Sequence, residues 1–368
     1  LTEANTQNES SRSPSAPAED KPVAAQPLPQ WPAWWPSGLP QTDGRGTLKQ
    51  AVEDFLVDEL PLGMPCGEGE HVWMWVEKTG ANTAFVAAEI ARFAGVRDLD
   101  VGFAGLKDRH SVSKQWFSVY LPKGETPDFT SIQHDEFKVL SQARHNKKLR
   151  RGDLLGNRFV ITLRNVTGDR EAMEHNLQQV QQGGYPNYFG DQRFGHDGGN
   201  IEAGIKMLRR EMRVRNANKK SIYLSAVRSY LFNEVLAARV ACGHWNRPLA
   251  HDAAEQMLDD KGLPTGPMWG RGRSLVSGEL GGFEAGVLFR YKDVLDALEH
   301  SGLSQERRSL VVMPEAMSWT WLAEADNSLS LKVCFCLGAG YYATSLLKEI
   351  LVAEEPQREL APAPTAPE

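Results

Sequence analysis

Cysteine is scarce in this chain, with four in 368 residues: Cys66, Cys242, Cys334 and Cys336. That is too few for a disulfide scaffold. Cys334 and Cys336 supply at most half a zinc site, and no Cys-x-x-Cys pair completes it. Both sit on the alternating run Leu331-Lys-Val-Cys-Phe-Cys-Leu337, so their thiols share one face. Buried free thiols are expected there, as suits a reducing compartment. Long apolar runs are also missing, and none approaches the roughly 20 residues that cross a bilayer. No membrane association is expected. The first residues are polar and proline-rich with no apolar stretch, so no secretory signal is read and the cytoplasm is the expected compartment. No internal repeat is visible, which argues against solenoids and propellers.

An excess of positive charge is absent too, since the net charge is -6. Partitioning it changes the picture. Residues 1–48 hold five acids and three bases, and residues 354–368 hold four acids and one base, so the ends carry most of the negative charge. Residues 143–223, by contrast, hold sixteen Lys and Arg against eight Asp and Glu. Basic charge is gathered mid-chain, as a phosphate-binding surface requires.

The organisation follows from composition and periodicity. Residues 1–30, rich in Ser, Pro, Ala, Glu and Gln, read as a disordered tail, as do residues 354–368. Trp31, Trp34 and Trp35 are expected to pin the start of the ordered chain onto the body. Strand-like alternation covers Phe55–Leu60, His71–Val76, Trp116–Leu121 and Arg158–Leu163. A helix is expected through Ala84–Phe93, with Asn82 or Thr83 as cap and Gly95 as stop, and another near Arg170–Gln182. Gly183–Gly190 is turn-rich and marks a junction, after which helical spacing dominates (Asn200–Arg213, Leu224–Cys242). Gly/Pro-rich connections are expected around Pro264–Gly286. Strands return at Leu310–Met313 and Leu329–Leu337, and a closing helix covers Ala343–Val352. The expected fold is α+β. A mixed sheet domain (31–182 and 316–353) is interrupted by a largely helical insertion (183–315).

The most informative stretch is Gly105-Leu-Lys-Asp-Arg-His110. It sets one carboxylate, Asp108, between Lys107 and Arg109, with His110 next. An acid flanked by cations should stay ionised at neutral pH, which suits nucleophilic attack or proton abstraction rather than general-acid work. Two alternatives stay open. The stretch could be a solvated turn, or Lys107 and Arg109 could point away toward phosphates.

Companion motifs occur in order along the chain. They are Leu48-Lys-Gln-Ala-Val-Glu-Asp-Phe-Leu-Val-Asp-Glu59, Gln115, Gly156-Asn-Arg-Phe159, Pro186-Asn-Tyr-Phe-Gly-Asp-Gln-Arg-Phe-Gly195 and Gly338-Ala-Gly-Tyr-Tyr-Ala-Thr-Ser345. With the Asp108 loop they resemble the TruD family of tRNA pseudouridine synthases, over roughly Gly46 to Val352. The resemblance implies a pseudouridine-synthase sheet domain carrying a helical inserted TRUD domain. It also implies isomerisation of uridine-13 in the D arm of tRNA, without metal or organic cofactor.

The resemblance further implies roles for residues. Asp108 is the catalytic carboxylate and Lys49 its basic partner. Phe55, Asn157, Phe159 and Tyr342 contact the substrate. Asn157 and Phe159, two apart on a strand, face the same way; the amide offers a donor and an acceptor to a uracil edge, and the ring holds an extruded base. Tyr342 stands where Phe is expected, and Ser111 replaces a small Ala with little expected disturbance. Candidate RNA contacts are Lys107, Arg109, His110, Lys147, Lys148, Arg150 and Arg151. Arg144 and the series Arg209, Arg210, Arg213, Arg215, Lys219 and Lys220 belong to the same basic excess. tRNA is the expected partner and a monomer the expected state. The rival reading is a non-catalytic tRNA-binding or folding factor.

Overall fold

The structure is a computed structural model and describes residues 31, 35–248, 258–272 and 274–356. The expected tail over 1–30, Trp34 and the residues after 356 lie outside the described residues.

A mixed sheet forms the base of the molecule. Its strands are β1 (Arg45–Leu48), β2 (Phe55–Pro61), β3 (His71–Thr79), β4 (Val101–Phe103), β5 (Val112–Tyr120), β6 (Phe137–His145) and β7 (Leu154–Thr167). The later chain returns to it through β12 (Glu315–Ala323), β13 (Leu329–Gly338) and β14 (Val352–Glu354). The order is β12-β13-β7-β2-β5-β3-β6, with β1 beside β7 and β14, and β4 beside β5. The pairs β2/β5 and β1/β14 are parallel; the other ladders are antiparallel.

Helix α1 (Thr83–Ala94) covers one end of the sheet and buries Val86, Ala87, Ile90 and Ala91 against Val72, Met74, Val76 and Phe117. It stops at Gly95, whose φ of 67° suits a residue without Cβ. Helix α2 (Arg170–Gly183) starts under the Asp169 side chain, which accepts from Glu171 N and Ala172 N. Its Met173, Leu177 and Val180 join the core on β7 and β13.

Two short pairs, β8 (Tyr185–Pro186) with β11 (Val311–Val312) and β9 (Thr265–Met268) with β10 (Glu306–Ser309), frame the helical part. There α3 (Gly199–Leu208), α4 (Ala217–Ala241), α5 (Gly278–Leu288) and α6 (Lys292–Glu299) share a separate core. Helix α4 buries residues all round, from Leu224 and Val227 to Phe232 and Leu236, as a central helix does. Finally α7 (Ala343–Lys348) packs under β8.

Several expectations need correction. The Gly/Pro-rich region to Gly286 holds α5, because Leu280 and Leu288 find burial there. The closing helix ends at Lys348, and residues 352–354 form β14 against β1, so ordered chain runs past 353 into the expected tail. Cys334 and Cys336 are half-buried rather than buried, and Cys66 and Cys242 are exposed. Trp31 packs 5.3 Å from Phe194, and Trp35 stacks 5.9 Å from Tyr188, so both serve packing.

Candidate active site

Strand register assembles the sheet face of the site. In the β2/β7 ladder Val57 lies opposite Phe159 and Glu59 opposite Asn157, while β13 sets Phe335 opposite Phe159. Phe55, Val57, Asn157 and Phe159 therefore line one cavity of about 460 Å³. Asp108, in the β4–β5 loop, also lines it, with Lys49, Lys107, Tyr342 and Glu355. Phe55 and Phe159 are 4% and 8% exposed, so each is at once core and cavity wall. Phe159 stacks on Phe335 at 5.4 Å and meets Phe55 edge-on at 6.2 Å. Asn157 Oδ1 is buried without a hydrogen-bond partner. Tyr342 precedes α7 in the facing wall, edge-on to Phe189 at 6.5 Å.

The charges around Asp108 are not those expected. Lys107 turns to Glu59 at 2.9 Å, both side chains being almost fully buried, and Arg109 donates from Nε to Gly80 O. Neither clasps the aspartate, because Glu59 offers Lys107 a partner that local sequence cannot show. The adjacent cation is Lys49, with Nζ 3.1 Å from Asp108 Oδ2 and 2.9 Å from Glu355 Oε1. Lys49 has φ 57° and is largely buried, with its ammonium 4.7 Å from the centre of the Phe55 ring. Burial opposes its charge, but Asp108 and Glu355 prevail and raise it above the ordinary lysine value.

Beneath the loop lies Lys78, a residue the sequence reading missed. It is completely buried, and its Nζ donates to Ala81 O and Asp108 O, both at 2.8 Å. Desolvation lowers it to about 8 despite the pull of Asp108. A signal was present: Val72, Met74, Val76 and Lys78 alternate along β3, and all four point inward.

Ser111 Oγ donates to the same Asp108 carbonyl at 2.8 Å, so its hydroxyl pins the loop and is more than a tolerated departure. Thr83, expected as a cap, instead accepts from Lys107 N and donates to Gln115 Oε1; Gln115 Nε2 closes the circuit on Gly105 O. The loop that presents Asp108 is thus held by side chains from β3, α1 and β5.

The remaining basic residues lie off the cavity wall. His110, Lys147, Arg150 and Arg151 are exposed, and Arg151 stacks over Phe103 at 4.4 Å. Lys148 Nζ donates to Leu99 O. Arg144 donates to Thr126 Oγ1, Gly69 O and Leu121 O, and Arg209 pairs with Asp293 at 2.6 Å, so both have structural partners.

Comparison with known proteins bears on this arrangement. Residues 39–217 match the model of the family described as tRNA pseudouridine synthase D (TruD). The chain is 42% identical over 331 residues to tRNA pseudouridine synthase D of Aeromonas hydrophila, covering 84% of this chain and 92% of that one. It belongs to the TruD family. Against the protein of the same name from Cellvibrio japonicus it is 41% identical, covering 89% and 95% of the two chains. A crystal structure of a TruD chain from Methanosarcina mazei superposes with a TM-score of 0.64 at 21% identity, covering 86% and 95%, which shows the shared mixed α+β fold. Among the described residues no helix of this TruD member is long and apolar enough to cross a membrane.

Proposed function

We propose that this chain is a tRNA pseudouridine synthase that isomerises uridine-13 in the D arm, with Asp108 as catalytic carboxylate. Residues 31–182 and 316–353 act as the catalytic unit and 183–315 as the inserted unit, in a cytoplasmic monomer. The observation that carries the reading is one cavity lined by a Lys49-paired carboxylate, an unpartnered amide and four aromatic rings. The family of the chain supports it.

The target uridine is extruded into the cavity, where Phe55, Phe159 and Tyr342 supply apolar walls and Asn157 Oδ1 accepts from the uracil edge. The N1–C1′ bond breaks, the uracil turns, C5 bonds to C1′, and C5 then gives up its proton while N1 takes one from solvent. Asp108 either attacks covalently or removes a proton from C2′; both routes need an ionised carboxylate at the sugar, and Lys49 supports that state. The bonds broken and formed leave no net oxidation or hydrolysis.

Asp108→Asn tests the assignment against a tRNA-binding or folding factor. Tritium release from tRNA labelled at uracil C5 is expected to vanish while tRNA affinity stays within about threefold; undiminished release would sink the catalytic role. Carbodiimide-blocked primer extension in cells lacking the gene tests the position. Persistence of pseudouridine-13 there would overturn the site assignment.

A further inference from the structure

A second cavity, of about 590 Å³, opens on the other side of the Gly338–Tyr342 segment. Tyr341 lines both cavities, so the second space adjoins the Asp108 site at that residue. Three arginines line the second cavity. Arg307 is taken by Glu284 at 2.8 Å, whereas Arg193 and Arg308 both stack on Phe189, at 5.3 and 4.2 Å. Among the described residues neither has a carboxylate partner. Arg308 Nη2 donates to Asn187 Oδ1 at 2.7 Å and Gly340 O at 3.0 Å, and Arg193 Nη1 donates to Ser225 Oγ at 3.2 Å. Their Nε atoms are buried and unpartnered, as is Ser229 Oγ in the same lining.

Two like charges, both half-buried and with no anion between them, are costly to hold. Burial weakens the hold of Arg308 on its proton, and the charge of Arg193 adds to this. The carboxylates around the cavity do not relieve the pair. Asp259 closes a turn on Lys261 N and Leu263 N, Glu306 reaches Arg228, Glu315 pairs with Lys261, and Asp260 is exposed. An unpaired couple of forked cations on an aromatic floor is suited to a phosphodiester.

We propose that this cavity binds the phosphate of the nucleotide adjoining the target uridine, with Arg193 and Arg308 as its ligands. The inference rests on the proposed tRNA reading: an RNA strand whose uridine enters the first cavity passes Tyr341 and presents its next phosphate to the second. It gives the helical part of the chain a defined task, holding the strand in register while the base is out of its stack.

The test uses full-length tRNA with a neutral methylphosphonate placed singly at each linkage flanking the target uridine. Filter-binding Kd and single-turnover pseudouridine formation are measured for the native protein and Arg193→Gln. That variant gives up the bond to Ser225 and the stacking on Phe189 but breaks no ion pair, so it should fold, and Arg308→Lys serves as a second variant. One linkage is expected to weaken native binding about tenfold when neutralised, and to cost Arg193→Gln less than about twofold. Penalties that multiply at every linkage, the absence of any sensitive linkage, or no tRNA binding would overturn the proposal. Binding that shows the expected coupling while no pseudouridine forms would remove the catalytic reading and leave this site standing.

Discussion

The Lys49 ammonium meets the Asp108 carboxylate at 3.1 Å, and the pair lies where β1 ends and the β4–β5 loop turns back on the sheet. Fifty-nine positions apart, they are joined by the fold alone. Since the two carboxylates beside it raise Lys49 above its ordinary value, it stays charged throughout the neutral range. Lys49→Met is expected to lower kcat about a hundredfold with little change in tRNA Kd, because the charge acts on Asp108 and not on the RNA backbone. Lys49→Arg should recover part of the loss. Single-turnover assays read both.

Glu355 shares Lys49 from the other side, at 2.9 Å, and places a second negative charge in the wall of the cavity. A polyanionic substrate must approach past it. Glu355→Gln is expected to lower KM for tRNA by about threefold at low salt and by less at high salt, with kcat within about twofold. A salt titration of KM decides it, and a rise in KM would mark Glu355 as a positioning group instead.

Lys78 ties the Asp108 carbonyl to the floor of the loop. Its folded value of about 8 lies below the ordinary 10.5, so between those values the unfolded chain holds a proton the folded chain has released. Stability from this group therefore rises with pH across that window. Lys78→Met, which removes the titration, should be less stable than the native chain. The gap should widen by up to about 3 kcal/mol from pH 8 to pH 10.5. Denaturant unfolding at the two pH values checks the sign.

Much of this site was legible in the sequence, because the motifs that carry it are local. Asp108, Asn157 and Phe159 each sit in a short recognisable string, and the period-2 pattern of β7 puts the last two on one face. Partners across the fold were not legible. Lys107 was read as a neighbour of Asp108 in sequence, yet Glu59 lies opposite in space and takes it. Alternation along β3 pointed Lys78 inward, but a lysine breaks the apolar pattern and so escaped notice. The helix at Gly278–Leu288 was masked by four glycines that suggest a loop, and only burial against α4 explains it.

Glu349, at the end of α7, is buried and accepts a hydrogen bond from Leu39 N at 2.9 Å. Burial raises it to about 7, against the partial relief of the Leu39 and Gly38 amides. Between 4.5 and that value the folded chain binds a proton the unfolded chain lacks, so this contribution is full at low pH and is lost as pH rises through about 7. Glu349→Gln keeps an acceptor for Leu39 N without the charge. It should be more stable than the native chain by about 1–3 kcal/mol at pH 8 and no more stable at pH 4.5. Urea unfolding at both values tests it.

Lys107 and Glu59 form a buried pair, with side chains 5% and 1% exposed, and Glu59 Oε1 also accepts from Trp116 N at 3.2 Å. Removing the lysine strands a carboxylate away from water, so Lys107→Met is expected to cost about 3–5 kcal/mol. Adding Glu59→Gln should restore most of that, since the amide needs no counter-charge and still accepts from Trp116. The folded Lys107→Met/Glu59→Gln protein should bind tRNA within about threefold of the native affinity, because Lys107 serves Glu59 before any phosphate. Equilibrium unfolding of the two single variants and the double completes the cycle. A tRNA affinity lowered tenfold, with stability unchanged in every variant, would instead make Lys107 a phosphate contact.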